Sequence, residues 1–345
     1  MKASAWYAQA EAALQAGDFA KALPDLRRAA DAGHGGACQR LAQYLLHFES
    51  DTGLPEALQR IEQARRVGHP AGAYMAACIA LGGRLLACDA QRIAAALMEA
   101  ARGGLSPARR AVQWLLDEHG NHQRGTDRPD DQEALAAAIA SGLQPVALRH
   151  LSPEPWVAVA PQLLSPAECQ LLIQAARPSL RPSTVHDPSG TATWRDPLRT
   201  SSDCSLDPIE EDFLLRWVQA RLAATAGCSL VQAEHLVVLH YGPGQEYRPH
   251  RDDLGPDALK RHRPDAGQRW RTLCAYLHPV QAGGQTAFPL LGLTVEPLVG
   301  SAVVFDNLDA QGVPEPRSLH AGLPVREGQK WLATLWWRQR AYRPW

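Results

Sequence analysis

The first half of the chain repeats itself every 35 residues. Three glycines that follow Ala-rich stretches carry this period: Gly33, Gly68 and Gly103. A period of this length is typical of stacked helical hairpins, in which each hairpin buries its apolar face against the next one. Glycine suits the end of such a helix, because it adopts the left-handed backbone of a helix cap at little cost. With a weaker fourth copy ending at Gly142, the sequence predicts an all-α helical-repeat domain over residues 1–150.

This half resembles tetratricopeptide or Sel1-like repeats. Gly17-Asp18 followed by Ala22-Leu23 fits the turn inside the first hairpin. Repeats of this kind form concave binding surfaces, so the resemblance implies a peptide or protein partner. The alternative is that the helices brace a second domain or form a dimer contact, and the sequence does not choose between these two roles.

The pattern changes after Ser152-Pro-Glu-Pro155, and we place the second domain at 151–345. Apolar residues at helical spacing predict helices at 165–178 and 208–226. Short apolar runs separated by Gly and Pro turns follow, which predicts a β-sandwich or barrel, with a jelly roll among the options. The predicted strands lie at 236–239, 272–277, 301–305 and 331–336. The fold class is therefore a two-domain α+β chain.

One short motif in this second domain suggests a metal site. Side chains two positions apart share a face of a strand, so His250 and Asp252 can bind one ion together. His320, from another strand, would complete a set of two imidazoles and one carboxylate, which is the arrangement of non-haem Fe(II) oxygenases. Lys330 offers a cation for an organic acid co-substrate. His-x-Asp alone is weak, and a solvated surface pair is the alternative.

Residues from about 153 to 345 resemble the prolyl 4-hydroxylase family of Fe(II)/2-oxoglutarate dioxygenases. The family's motifs occur in its order: Leu198-Arg-Thr-Ser-Ser202, Tyr241 through Asp252, Arg269-Trp-Arg-Thr272, Gly283-Gly-Gln-Thr286 and His320 through Lys330. The resemblance implies a double-stranded β-helix, which is a variant of the jelly roll. Gln285 replaces the family's usual glutamate and Trp270 is apolar, and these two departures leave the substrate preference open.

The resemblance also implies a cofactor set. The iron ligands would be His250, Asp252 and His320. Lys330 would pair with the distal carboxylate of 2-oxoglutarate, Tyr241 would hydrogen-bond that co-substrate, and Thr286 would line its pocket. With Fe(II) bound, 2-oxoglutarate and O2 would then give succinate and CO2, and the second oxygen atom would convert a substrate C–H group to C–OH, with ascorbate supporting activity. The protein's own part in such chemistry is binding, orientation and the exclusion of side reactions.

Substrate residues follow less directly from the resemblance. Arg269 and Trp336 lie where family members approach their substrate. A prolyl residue in a peptide or protein is the leading candidate. A free amino acid such as proline or pipecolate is the alternative, because Arg199, Arg269 or Arg271 could hold its carboxylate through bidentate contacts. A non-catalytic repeat scaffold is the alternative of another class.

Two polar segments flank the predicted metal strand. Residues 253–268 follow Asp252 directly and contain several Gly and Pro residues, and we predict a mobile lid over the site. An inert surface loop is the alternative. Residues 183–203 match the position of the family's substrate-side loop.

Composition limits the possible partners and the compartment. The formal net charge is −1, so we predict no binding to nucleic acid or to a membrane surface. The seven cysteines are odd in number and contain no Cys-x-x-Cys motif, which argues against disulfides or zinc and favours reduced thiols in a cytoplasmic protein. The beginning of the chain has no apolar core of the signal-peptide type.

Overall fold

The computed structural model describes residues 2–48, 50–119, 130–183, 185–186, 193–194, 199–209 and 211–345. The chain forms two units. The first comprises Met1–Leu143, Glu211–Trp217 and Pro344–Trp345, and the second comprises Gln144–Glu210 and Val218–Arg343. The division therefore falls between residues 143 and 144, whereas the sequence suggested residue 150, and two later segments also belong to the first unit.

Helices build the first unit. In its described part they are α1 (Lys2–Gln15), α2 (Phe19–Asp31), α3 (Gly35–Phe48), α4 (Ser50–Arg66), α5 (Pro70–Ala80), α6 (Ala90–Arg102), α7 (Ser106–His119) and α8 (Asp130–Gly142). Each helix packs against the next one along the chain. The helices therefore pack one after another in chain order, which agrees with the predicted all-α architecture. The assignment to a particular repeat family stays a prediction.

Small residues and glycines explain this helix packing. Ala73, Ala100 and Ala108 are fully buried and bring three consecutive helices together. Gly33 (φ +82°) and Gly68 (φ +73°) have the left-handed backbone that the sequence predicted. In the third copy Gly104 (φ +89°) has this conformation. Its neighbour Gly103, which aligned with the other two glycines, stays right-handed.

The second unit is rich in strands. Its described strands are β1 (Arg149–Pro153), β2 (Trp156–Ala160), β3 (Arg181–Pro182), β4 (Val185–His186), β5 (Thr193–Trp194), β6 (Ser202–Leu206), β7 (Leu236–Tyr241), β8 (Tyr247–His250), β9 (Arg269–Tyr276), β10 (Ala282–Gly283), β11 (Thr286–Phe288), β12 (Leu293–Val295), β13 (Ala302–Asp306), β14 (His320–Gly322), β15 (Val325–Glu327) and β16 (Lys330–Arg338). The helices between them are α9 (Pro166–Ala176) and α11 (Pro256–Arg261), together with α10 (Phe213–Thr225), whose residues up to Trp217 are counted with the first unit. A capping box of Ser165 and Glu168 starts α9.

Two sheets enclose the core of this unit. The larger has the order β1-β2-β13-β9-β16-β7-β6-β3, and the smaller has the order β12-β11-β14-β8. Alternate residues of the larger sheet point inward, among them Cys274 and Tyr276 of β9 and Val303 and Phe305 of β13, and they meet Phe288 of the smaller sheet. This is the predicted jelly-roll arrangement, and all four predicted strands are present.

Two further observations concern the described helices and the cysteine thiols. Within the residues described, no helix combines the length and the apolar character that crossing a membrane requires. All seven cysteines are free thiols, and five of them are buried.

Candidate metal centre and co-substrate cavity

Two neighbouring strands of the smaller sheet bring the predicted ligands together. His250 ends β8 and His320 begins β14, and the two residues are direct partners in this antiparallel pair. Asp252 follows two residues after β8, and its carboxylate oxygens lie 3.7 Å from Nε2 of each histidine. The three candidate ligand atoms all lie within 4.8 Å of one another. A single ion can therefore contact all three side chains.

Backbone carbonyls orient both imidazole rings. Nδ1 of His250 lies 2.8 Å from the carbonyl of Arg248, and Nδ1 of His320 lies 3.0 Å from the carbonyl of Ser318. A carbonyl only accepts, so Nδ1 carries the proton in both rings and each Nε2 keeps its lone pair. Tyr247 stacks on His250 with a centroid distance of 3.4 Å. The rings are thus oriented as metal ligands before any ion binds.

The charge states of the triad also suit a divalent cation. Burial and the neighbouring His320 lower the pKa of His250, so its ring is neutral, as a ligand must be. Burial alone would raise the pKa of Asp252, but the two histidines, Arg269 and a hydrogen bond from Thr272 outweigh it and lower the pKa. Two neutral imidazoles and one carboxylate form the donor set of non-haem Fe(II) sites. The residues present therefore fit iron.

A buried lysine lines the same cavity as the triad. Lys330 is only 2% exposed, and its Nζ lies 5.6 Å and 5.5 Å from the ring centroids of Tyr241 and Tyr276. Burial lowers the pKa of Lys330 to about 8. No carboxylate in the described part of the chain lies within ion-pair distance of this ammonium. An unpaired buried cation is costly, so the site calls for an anionic ligand.

Two polar side chains lie beside this lysine. Tyr241 pairs with Lys330 across β7 and β16, and its side chain is buried. Thr286 accepts a 2.8 Å hydrogen bond from the Tyr276 hydroxyl. The carboxylate of a bound organic acid would thus find hydroxyl groups next to a cation.

The triad and Lys330 line one cavity of about 370 Å³. Nine of the ten residues that the sequence singled out line it, and Arg271 is the exception. The nine are His250, Asp252, His320, Lys330, Tyr241, Thr286, Arg269, Trp336 and Arg199. The structure thus brings the metal and co-substrate candidates to one place.

A β-bulge separates Arg269, which lines the cavity, from Arg271, which does not. Trp337 pairs with Arg271, and Arg338 pairs with Arg269, so Trp270 is an extra residue in β9. A bulge reverses the alternation of faces, and consequently Arg269 and Arg271 point to opposite sides. Arg271 is paired with Asp306 at 2.6 Å. Its predicted role as a carboxylate clamp therefore has no support in its position.

Arg269 is held in the cavity wall by a residue that sequence reasoning missed. Glu234 accepts two hydrogen bonds from its guanidinium, of 2.8 Å and 2.7 Å, and a third of 3.2 Å from Arg338. The guanidinium lies 4.2 Å from the ring centroid of Trp336. This arrangement presents a flat, rigid wall to a substrate.

The segment after Asp252 is held at both ends. The side chain of Gln268 bonds the backbone N–H and C=O of Leu254, at 2.7 Å and 2.8 Å. Arg338 donates to the carbonyls of His262 and Gly267. Between these contacts lies α11, which has no buried residue. The predicted mobility of residues 253–268 stays a prediction. Of the predicted loop 183–203, residues 184, 187–192 and 195–198 lie outside the described residues.

Comparison with known proteins yields related oxygenases. The 2OG-Fe(II) oxygenase superfamily model matches residues 236–338. The chain is 36% identical over 202 residues to prolyl 4-hydroxylase 1 of Arabidopsis thaliana, covering 54% of this chain and 70% of that protein. It is 34% identical over 184 residues to prolyl 4-hydroxylase subunit alpha-1 of Rattus norvegicus, covering 52% of this chain and 33% of that subunit.

Among solved structures, the chain is similar to a viral collagen prolyl hydroxylase from Paramecium Bursaria Chlorella virus-1 in its 2OG complex. The TM-score is 0.42 and the identity is 28%, over 53% of this chain and 95% of that chain.

Proposed function

Because this chain belongs to the prolyl 4-hydroxylase family of 2-oxoglutarate- and Fe(II)-dependent dioxygenases, we propose that it hydroxylates prolyl residues within a peptide or protein. The names of its relatives support this substrate class. The charges of the cavity wall favour it over a free amino acid.

Different residues of the cavity would bind the metal and the co-substrate. The donor atoms of His250, Asp252 and His320 would hold Fe(II), which supplies the activation of O2 that couples conversion of 2-oxoglutarate into succinate and CO2 with hydroxylation of a C–H bond. The Lys330 ammonium would bind the distal carboxylate of 2-oxoglutarate, with Tyr241 beside it. We expect ascorbate to support this activity.

The single observation that carries the peptide assignment is that the cavity's guanidinium groups are already neutralised. Three pairs account for them: Arg199 with Asp203 at 2.5 Å, Arg251 with Asp253 at 3.2 Å, and Arg269 with Glu234 at 2.7 Å. Lys330 is committed to 2-oxoglutarate. In the described part of the cavity, the carboxylate of a free amino acid would therefore lose its hydration without gaining a cation, which is unfavourable. A prolyl residue inside a peptide carries no such charge.

A matched pair of small substrates tests this assignment. Purified protein with Fe(II), 2-oxoglutarate and ascorbate would be given N-acetyl-proline methylamide or N-acetyl-proline, which differ in the carboxylate. Proline-containing peptides, free proline and pipecolate complete the set. We expect an added oxygen, seen by mass spectrometry, and succinate with the amide and the peptides. Turnover of the free amino acids alone would refute the peptide assignment.

We also propose that the helical unit helps to bind a protein substrate. Phe19 and Phe48 are 45% and 51% exposed, and their ring centroids lie 5.4 Å apart, which supports a binding role for this surface. Replacing Phe48 with Ala should then raise KM for a whole protein substrate and leave short peptides unaffected. Val67, which is also 51% exposed, provides the control position. An unchanged KM would favour a brace or a dimer contact.

The compartment is a further proposal. Seven free cysteines support a reducing environment such as the cytoplasm. Fractionation of the native host cells would test it.

A further inference from the structure

We infer that Asn307 is a positioning residue that sets the direction of a hydrogen-bond relay ending on the metal-binding carboxylate. The relay runs from Asn307 to Thr272 and from Thr272 to Asp252. This inference rests on the metal site proposed above and assigns a role to a residue that touches neither metal nor substrate.

The relay is short and completely buried. The Asn307 side-chain amide donates to the Thr272 hydroxyl at 2.9 Å, and that hydroxyl donates to Oδ2 of Asp252 at 2.7 Å. Asn307 and Thr272 are both 0% exposed. The backbone of Asn307 is also fixed, because its N–H donates to the carbonyl of Trp270 and its C=O accepts from the N–H of Glu315.

The direction of the relay follows from counting protons. The Thr272 hydroxyl has one proton, and an NH2 group can only donate. Donation from Asn307 therefore leaves the hydroxyl proton for Asp252. If the amide were reversed, its oxygen and the carboxylate would compete for that one proton, and one bond would be lost. This orientation leaves Oδ1 of Asn307 buried without a hydrogen-bond partner among the described residues, which is the cost of donating to Thr272.

The consequence concerns the carboxylate of Asp252. Its Oδ2 is held by Thr272 while Oδ1 lies beside His250, so the group cannot rotate freely about its last bond. Partners that orient metal ligands in this way typically contribute about 10- to 100-fold in metal affinity. Asn307 contributes to that affinity only through Thr272.

A double-mutant cycle on metal affinity tests the inference. Metal-free protein would be titrated with Mn(II), and free Mn(II) would be measured by electron paramagnetic resonance. We expect Thr272→Val to weaken binding about 10- to 100-fold and Asn307→Leu to weaken it about 10-fold. In the Thr272→Val background, Asn307→Leu should cause no further loss. Co(II) absorption spectra of the same variants would report the changed ligand field.

Two controls separate positioning from general damage. Thr272→Ser keeps the hydroxyl and should keep the affinity. Thr334→Val is the same change at another buried threonine, whose hydroxyl is hydrogen-bonded to Cys274 at 3.6 Å rather than to a metal-binding side chain, and it should bind Mn(II) normally. Circular dichroism and thermal melting of the metal-free variants would check folding, and Asn307→Ser replaces the leucine variant if that one does not fold.

The possible outcomes are distinct. An unchanged affinity of the Asn307 variants, or an equal loss in both backgrounds, would overturn the relay. An unchanged affinity of Thr272→Val would do the same. Wild-type protein without affinity for Mn(II) or Co(II) would instead refute the metal site and the proposed function.

Discussion

Replacing Lys330 with methionine should weaken 2-oxoglutarate binding and at the same time stabilise the unliganded protein. Methionine is unbranched and apolar, and it adapts to irregular space. In the wild-type protein the ammonium is 2% exposed and has no carboxylate partner in the described residues. The substitution removes this buried charge from a place where only a bound anion compensates it.

The size of both effects, the gain in stability and the loss of 2-oxoglutarate affinity, follows from the buried charge of Lys330. Burial lowers the pKa of Lys330 from 10.5 to about 8, and one pKa unit corresponds to about 1.4 kcal/mol. The charged lysine thus costs about 3 kcal/mol of folding free energy at pH 7, and the variant should gain up to that amount. Breaking a buried ion pair costs about 3–5 kcal/mol, so 2-oxoglutarate affinity should fall by at least about 100-fold.

The pH dependence of folding stability shows whether the buried charge of Lys330 destabilises the wild-type protein. A base whose pKa is lower in the folded state binds fewer protons there than in the unfolded state between about pH 8 and 10.5. Stability of the wild type therefore rises with pH across this window. The stability difference between the variant and the wild type should be largest below pH 8 and vanish above about 10.5.

Urea denaturation of the metal-free proteins at several pH values measures the first effect, and calorimetric titration of 2-oxoglutarate into the Mn(II) protein measures the second. Lys260→Met, at an exposed position on α11, is the control and should change neither. A Lys330→Met protein that is less stable at pH 7 and binds 2-oxoglutarate normally would refute the argument.

Three further predictions concern other parts of the molecule. Asp252→Ala should abolish both iron retention, measured by elemental analysis, and succinate formation, and retention of iron would contradict the ligand assignment. Arg269→Met should impair peptide hydroxylation, whereas Arg271→Met should lower the melting temperature and leave KM for the peptide near normal. Gly33→Ala should destabilise the helical unit by about 1–2 kcal/mol in urea denaturation, because alanine is strained at φ +82°, and an unchanged stability would contradict this reading.

The metal ligands and the strands could be predicted because their constraints are local or chemical. His250 and Asp252 share a face through simple strand alternation, and few residue types can bind iron. His320 could be proposed only as a ligand from another strand, supported by the order of the family's motifs, since nothing local shows that it pairs with His250 seventy residues away. Strand alternation alone would place Arg269 and Arg271 on one face, and the extra residue Trp270, which puts them on opposite faces, leaves no mark in the apolar pattern.

The supporting residues could not be predicted from one sequence. Thr272 and Asn307 are ordinary residues on or after buried strands, and their roles arise from a contact between positions 35 residues apart. Glu234 precedes β7 and meets Arg269 and Arg338 only after the sheet has formed. Long-range contacts also assign Glu211–Trp217 to the first unit, which no local composition change suggests.

The two hydrogen bonds between the Gln268 side chain and the Leu254 backbone affect how such a protein can diversify. They close the chain immediately after the metal ligand, so residues 255–267 form a loop whose two ends are joined by bonds that do not depend on the side chains between them. The entropy cost of lengthening a closed loop grows only slowly with its length. The sequence of this stretch, at the rim of the cavity, can therefore change without altering the metal centre beneath it. New substrate contacts can evolve or be engineered there.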